Sequence, residues 1–96
     1  MPGEAHPFGL AAVPCPSLYF CAYSTQWQTG DAIFMTICGR YNAIPWVTTG
    51  SWVNNQTTGT RPLLTFTIGS TWTMPAAPSS QATGVDWLPV RNIKPC

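Results

Sequence analysis

The stretch LYFCAYSTQWQTGDAIFMTIC, residues 18–38, decides the fold class of this chain. Two runs rich in aromatic and β-branched residues, LYFCAY (18–23) and AIFMTIC (32–38), flank the polar, glycine-containing segment STQWQTGD (24–31). Such a succession is typical of a β-hairpin. No part of the chain repeats apolar residues at the three- and four-residue spacing of a helix face, so we expect almost no helix.

The clearest alternation of apolar and polar residues lies in LTFTIGSTWTM, residues 64–74. Alternate residues of a strand point to opposite faces, so one face is expected in the core and the threonine-rich face in water. Matching the apolar positions favours a hairpin loop at 69–71, which pairs Ile68 with Trp72. The residues expected on the core face are Leu64, Phe66, Ile68, Trp72 and Met74.

Two further segments complete the chain. TMPAAPSSQATGVD (73–86) is small and polar, has no strand pattern, and is predicted to be a long surface loop stiffened by Pro75 and Pro78. VRNIKPC (90–96) predicts a last strand. We therefore expect one all-β domain over residues 15–96, a size at which a single core is usual.

Four cysteines in a chain of 96 residues predict two disulfides and an oxidising compartment. Cys21 and Cys38 lie at similar distances from the hairpin turn, which suggests that they pair and leave Cys15 to pair with Cys96. The cysteine spacings do not match those of zinc ligands, and the only histidine is His6. No metal site is expected.

The charge content argues against several kinds of partner. Only 7% of the residues are charged, against about 25% in an average domain, and the net charge is +1. The four basic residues are scattered, which argues against nucleic acid. The longest mostly apolar run beyond the N-terminal segment, AIFMTIC, is far shorter than the roughly 20 residues of a membrane span.

The N-terminal segment, residues 1–14, contains Pro2, Pro7 and Pro14 and is predicted to be a flexible arm outside the domain. It lacks the basic start and uninterrupted apolar run of a signal peptide. We expect an extracellular protein whose mature form is this chain behind Met1.

The titratable residues are too few to predict an enzyme. His6 lies in the arm and has no evident base partner, so a nucleophilic triad is not expected. The carboxylates are Glu4, Asp31 and Asp86. Both aspartates lie within two residues of a glycine at a predicted turn, where an Asx turn is the simplest interpretation. We expect neither catalysis nor a cofactor.

Several motifs in succession make the chain similar to a known family. These are CPSLYFCAYSTQWQTG (15–30), ICGRY (37–41), Trp46, TGSWVNNQTTGTRP (49–62) and VRNIKPC (90–96). Over residues 15–96 the chain resembles the small secreted actinobacterial peptidase-inhibitor-like proteins that adopt a βγ-crystallin-like fold. The segment GSWVNNQT (50–57) and the cysteine positions carry the resemblance most strongly.

The resemblance implies two Greek-key motifs in a single disulfide-stabilised β-sandwich. Tyr23 and Gly30 keep the seven-residue spacing that crystallin-type motifs show across their folded hairpin. Trp27 lies one residue before the usual place of the second aromatic, now Gln28, which implies a modified fold-over. Calcium-binding relatives carry a pair of Asn or Asp residues where this chain has WVTTGS (46–51), so no calcium is expected there.

The segment SWVNNQTTGTRP (51–62) is interpreted mainly as architecture, and the alternative is a ligand-binding role. By the resemblance, Ser51 supplies the hydroxyl that ties the folded hairpin to the neighbouring strand. The amides of residues 54–56 are suited to satisfying backbone groups in a turn, and Gly59 tolerates a positive φ.

The resemblance also implies that the protein inhibits an extracellular peptidase. The segment expected to do so is the loop at 73–84, because a rigid exposed loop lowers the ordering cost of binding. Met74 would enter an apolar specificity pocket with Pro75 beside it, and the alternative is that Met74 simply ends the core face of its strand. The candidate inhibitory residues are Met74, Pro75, Ala76, Ala77 and Pro78.

The competing hypothesis is a killer-toxin-like antimicrobial module that binds cell-wall glycan or a protein, alone or within a larger secreted assembly. Among the five tryptophans, Trp27 lies in a polar turn and is the aromatic expected to be available for stacking on a ligand. Most of the others are expected in the core.

Overall fold

The structure, a computed structural model, describes residues 11–96. Most of the predicted arm, residues 1–10, lies outside the described residues. Within the rest of that arm, the N–H of Val13 donates to the carbonyl of Gln28 over 2.7 Å. The described part of the chain has no helix long and apolar enough to cross a membrane.

Residues 11–96 form eight β-strands and no α-helix, which confirms the predicted all-β class. In chain order the strands are β1 (Phe20–Thr25), β2 (Thr29–Met35), β3 (Asn42–Ala43), β4 (Thr49–Asn54), β5 (Leu63–Phe66), β6 (Thr71–Thr73), β7 (Ser79–Asp86) and β8 (Val90–Lys94).

The strands are arranged in two antiparallel sheets of four strands each. The first sheet has the order β2-β1-β4-β7, and the second has the order β3-β8-β5-β6. Each sheet therefore contains three strands from one half of the chain and one from the other half. The buried side chains of both sheets form one core, as in a β-sandwich.

The core is built from large apolar side chains of both sheets. Phe20 stacks on Trp52 with 5.8 Å between ring centroids, and the buried indole N–H of Trp87 donates to the carbonyl of Tyr23 over 2.8 Å. Gly50 lies against this hydrogen bond, and a Cβ at that position would collide with both the indole and the carbonyl. The glycine is therefore required by the close approach of the backbone to Trp87.

The hairpin predicted from residues 18–38 is confirmed as the antiparallel pair of β1 and β2, but its register overturns the predicted cysteine pairing. Cys21 lies opposite Phe34, whereas Cys38 lies beyond the end of β2. The disulfides are Cys15–Cys21, with Cα atoms 5.8 Å apart, and Cys38–Cys96, with Cα atoms 4.7 Å apart. The prediction of two disulfides is confirmed, and the predicted pairing of Cys21 with Cys38 and of Cys15 with Cys96 is wrong.

The two disulfides differ in the length of chain that they close. Cys15 and Cys21 are separated by 6 residues, and Cys38 and Cys96 by 58. On the chain-entropy estimate, loops of these lengths contribute about 2 and about 4 kcal/mol to the free energy of unfolding. The longer link joins the middle of the chain to its C-terminal residue.

The β5–β6 hairpin forms, but in a register four residues away from the predicted one. Leu64, and not Ile68, lies opposite Trp72. Ile68 was expected in the core, and this is wrong, because the turn is centred on Ile68, which is 88% exposed. Phe66 bonds to Ser70 across this turn, and Gly69, with φ 96°, provides its left-handed residue. A shift by an even number of residues leaves Leu64 on the core face.

The prediction of a surface loop over residues 73–86 is wrong for most of its length. Residues 79–86 form β7, which pairs with β4 so that Ser79 lies opposite Asn54 and Gln81 opposite Trp52. β7 is an edge strand with mostly exposed side chains, so it needs no alternation of apolar residues. Only residues 74–78 form the connecting loop.

Candidate functional site

The structure places the five candidate inhibitory residues in the short connection between β6 and β7. Met74 is fully buried and Ala77 is nearly so. Pro75 and Pro78 are exposed, and Ala76 is half-buried. The alternative interpretation of Met74, that it ends the core face of its strand, is therefore confirmed, and this conformation does not offer its side chain to a specificity pocket.

The connection is fastened to the loop that precedes β5 by three backbone hydrogen bonds. The N–H of Met74 donates to the carbonyl of Pro62 over 2.8 Å. Ala77 bonds through both of its backbone groups, its N–H to the carbonyl of Thr60 and its carbonyl to the N–H of Gly59, each over 2.9 Å. The Ala77–Pro78 peptide bond is cis. Residues 57–62 and 74–78 thus run side by side, and we call them the braced loops.

One buried side chain, Asn54 at the end of β4, bridges the two braced loops. Its side-chain amide donates to the carbonyl of Thr60 over 2.9 Å and to the carbonyl of Pro75 over 3.1 Å. Asn54 is 1% exposed, so these hydrogen bonds are shielded from water. Ser79 adds a hydroxyl donor to the same Pro75 carbonyl over 3.2 Å. The loops are therefore held to the sheet by a side chain as well as to each other.

A second amide extends this bridge to the C-terminus. The Gln56 side chain donates to Oδ1 of Asn54 over 3.1 Å and to the carbonyl of Pro95 over 2.9 Å. Asn55 donates its side-chain amide to the carbonyl of Cys15 over 3.0 Å. The interpretation of residues 54–56 as turn-satisfying amides is confirmed, although it did not foresee that Asn54 joins two loops.

The braced loops expose a short row of side chains around this bonded frame. Thr57 and Thr58 lie in a turn that closes at Thr60 and contains Gly59, whose φ is 95°. Arg61 is also exposed, whereas the next residue, Pro62, is fully buried. A partner would therefore contact the side chains of Thr57, Thr58 and Arg61 and the rings of Pro75 and Pro78. The two loops that carry them are held together by backbone hydrogen bonds.

Ser51 ties the folded β1–β2 turn to β4, in the role that the sequence resemblance implied for it. Its hydroxyl accepts from the N–H of Gln28 and donates to the carbonyl of Thr25, both over 2.9 Å. Gly30 has φ 80°, and a Cβ there would collide with the Ser24 hydroxyl. Trp27, with φ 62°, completes the turn. The residues of this turn therefore have a structural role.

Trp27, the predicted ligand-stacking aromatic, is half-buried. Its backbone N–H donates to the carbonyl of Ala82 in β7 over 2.7 Å. The more accessible tryptophan is Trp72, which is 41% exposed on the edge strand β6. Its place in an apolar alternation predicted that Trp72 lies in the core, and this is wrong. We attribute its exposure to the position of β6, which has only three residues and lies at a sheet edge. Trp52 and Trp87 are buried as expected.

The titratable groups among residues 11–96 are not brought together into a cluster that would hold a metal ion. Asp86 accepts from the N–H of Leu88 over 3.1 Å, which is the predicted Asx turn. Burial raises the pKa of Tyr23 to about 12, and its hydroxyl has no hydrogen-bond partner among the described residues. Tyr23 therefore contributes to the structure through the burial of its ring.

Among residues 11–96 the two loops bridged by Asn54 combine an exposed outer surface with a fixed backbone, and we take them as the candidate functional site. Comparison of the chain with protein-family models, with curated proteins and with solved structures finds no match.

Proposed function

We propose that this protein is a secreted peptidase inhibitor that acts without catalysis and presents the braced loops to an extracellular peptidase. The observation that carries the proposal is the bridge of Asn54, whose buried amide donates to Thr60 in one loop and to Pro75 in the other. A binding loop whose conformation is fixed before binding loses less entropy in the complex. A fixed loop also resists the distortion that peptide hydrolysis demands.

This proposal moves the contact surface away from the Met74 side chain. The bonded pairs between residues 59–62 and 74–77 keep both loops in place, and the exposed rings of Pro75 and Pro78 lie on the same connection. The braced loops would then bind together, as one surface built from two segments. A two-segment surface gives the contact area that a single five-residue loop lacks.

We propose further that the fold is a pair of Greek-key motifs of the βγ-crystallin type. The exchange of β3 and β7 between the sheets supports this, since each half of the chain has three of its strands in one sheet and its third strand in the other. The Ser51 hydrogen bonds across the folded turn and the positive φ of Gly30 support it too. Two disulfides in a domain of this size are consistent with an extracellular location.

Titration against four peptidases of three catalytic classes tests the proposed function. Thermolysin-like, subtilisin-like, papain-like and trypsin-like enzymes would each be assayed on a small fluorogenic substrate with increasing amounts of the oxidised chain. We expect stoichiometric inhibition of at least one class, and prolonged incubation should leave the chain intact on a denaturing gel. Unchanged rates for all four enzymes at about micromolar protein, a level that corresponds to roughly 8 kcal/mol of binding, would contradict the proposal.

The exposure of Trp72 supports a second candidate, the binding of cell-wall glycan. Trp72 is 41% exposed on the edge strand β6, and an accessible aromatic face suits stacking on a sugar ring. Quenching of tryptophan fluorescence by glycan fragments, lost in a Trp72→Ala variant but kept in Trp27→Ala, is the expected result for this function. No quenching with any fragment would eliminate it.

A further inference from the structure

We propose that Arg61 is the specificity residue of the braced loops and that the partner is a serine peptidase whose specificity pocket ends in a carboxylate. This inference rests on the proposed function and narrows it to one class of enzyme. It follows from three properties of residues 60–62, namely how their backbone groups are bonded, where their side chains lie, and how Pro62 is held.

The backbone groups on either side of Arg61 are bonded within the protein. The N–H of Thr60 donates to the carbonyl of Thr57 over 3.0 Å, and the carbonyl of Thr60 accepts from Ala77. The carbonyl of Pro62 accepts from Met74. By contrast, no backbone hydrogen bond within residues 11–96 involves the N–H or the carbonyl of Arg61. A serine peptidase binds the carbonyl of the residue in its specificity pocket within the oxyanion hole, so this carbonyl has to be available.

The Arg61 side chain is equally available. It is exposed, and its guanidinium makes no hydrogen bond to any other described residue. Two other cations of the chain are engaged, since Arg91 donates to the carbonyl of Thr67 and Lys94 lies 5.4 Å from the centre of the Tyr41 ring. A guanidinium pairs with a carboxylate through two parallel hydrogen bonds, which is the interaction that an acidic pocket offers.

Pro62 fixes the peptide bond that such an enzyme would attack. It is fully buried, its carbonyl is bonded to Met74, and its ring restricts its own φ. The nitrogen of the Arg61–Pro62 bond therefore cannot move away from the Arg61 carbonyl, and the complex is expected to remain uncleaved. No covalent bond forms or breaks in this complex.

Arginine substitutions in the full-length oxidised chain test this assignment against trypsin, which has the acidic pocket, and chymotrypsin, which has an apolar one. We expect wild type to inhibit trypsin, Arg61→Ala to weaken that inhibition by at least about 30-fold, as loss of a hot-spot residue does, and Arg61→Lys to keep most of it. Arg40→Ala is the matched control, because Arg40 is also an exposed arginine outside the braced loops. Circular dichroism of each variant verifies the fold.

The outcomes separate this inference from the proposed function. If Arg61→Ala inhibits trypsin as well as wild type does, or if the chain inhibits a peptidase of another class and not trypsin, the role of Arg61 is wrong and the inhibitor proposal stands. If no peptidase is inhibited, both fail. Equal losses in Arg61→Ala and Arg40→Ala would show a general effect of net charge and would also overturn the assignment.

Discussion

Replacement of Asn54 by alanine removes the side chain that joins the braced loops to the sheet. The side-chain amide loses its hydrogen bonds to the carbonyls of Thr60 and Pro75, and Oδ1 no longer accepts from the side chain or the backbone N–H of Gln56. Asn54 is 1% exposed, so water does not replace these partners without rearrangement. The backbone ladder between the loops remains, which makes the substitution a test of the bridge alone.

The magnitude follows from the partners that are lost. Each intramolecular hydrogen bond contributes about 0.5–1.5 kcal/mol net, so four of them amount to roughly 2–6 kcal/mol. Thr60 and Pro75 keep one further donor each, from Ala77 and Ser79, so neither carbonyl is left wholly unsatisfied. We therefore expect the free energy of unfolding of Asn54→Ala to fall by about 3 kcal/mol, in the lower half of that range.

Equilibrium unfolding in urea, followed by tryptophan fluorescence under non-reducing conditions, measures this change. Asn42→Ala is the matched control, because the Asn42 amide also donates to two backbone carbonyls, at 3.1 and 3.3 Å, but its residue is only half-buried. Asn42→Ala should cost under about 1 kcal/mol. A loss below about 0.5 kcal/mol for Asn54→Ala, or equal losses in both variants, would refute the account of the bridge.

Three further substitutions probe the scaffold. Burial raises the pKa of Tyr23 to about 12, so the folded state keeps a proton that the unfolded state loses above pH 10. The free energy of unfolding should therefore fall by up to about 1.4 kcal/mol per pH unit between pH 10 and 12. Tyr23→Phe should remove this loss and leave stability at pH 7 nearly unchanged, as urea unfolding across pH would show. Gly50→Ala should cost about 3 kcal/mol or prevent folding, because its Cβ would displace the Trp87 indole; thermal unfolding measures this. Ser51→Ala should cost about 1–3 kcal/mol and speed amide exchange at Gln28, and an unchanged exchange rate there would argue against the tie.

The sequence was sufficient for the elements whose cause is local. The hairpin at residues 18–38, the last strand and the absence of helix within residues 11–96 all follow from the spacing of apolar residues, which one segment determines by itself. The Asx turn at Asp86 likewise depends on neighbours in the chain. These predictions needed no knowledge of the sheet order.

What could not be predicted depends on partners distant in sequence. β7 is a strand because β4 supplies its ladder, and its own residues show no strand pattern. The cysteine pairing depends on the register that sets Phe34 opposite Cys21. Similarly, the exposure of Trp72 depends on β6 being a short edge strand.

The candidate site was found only in part for the same reason. The amide-rich segment 54–56 could be recognised as turn architecture from its composition. That Asn54 reaches residue 75 as well as residue 60 is a tertiary contact, and it moved the candidate surface from Met74 to the two loops together. A buried asparagine at a strand end is the signal that could have indicated it, but burial is not visible in the sequence.

Amide hydrogen exchange of the oxidised chain, alone and bound to the peptidase that it inhibits, tests the central claim most directly. Slower exchange on binding is expected at the amides of Thr57, Thr58, Arg61 and Ala76, whose N–H groups make no backbone hydrogen bond within residues 11–96, with the strands of both sheets unchanged. Protection confined to the opposite edge of the first sheet, at residues 29–35, or no protection anywhere in the chain, would contradict the claim that the loops bridged by Asn54 are the inhibitory surface.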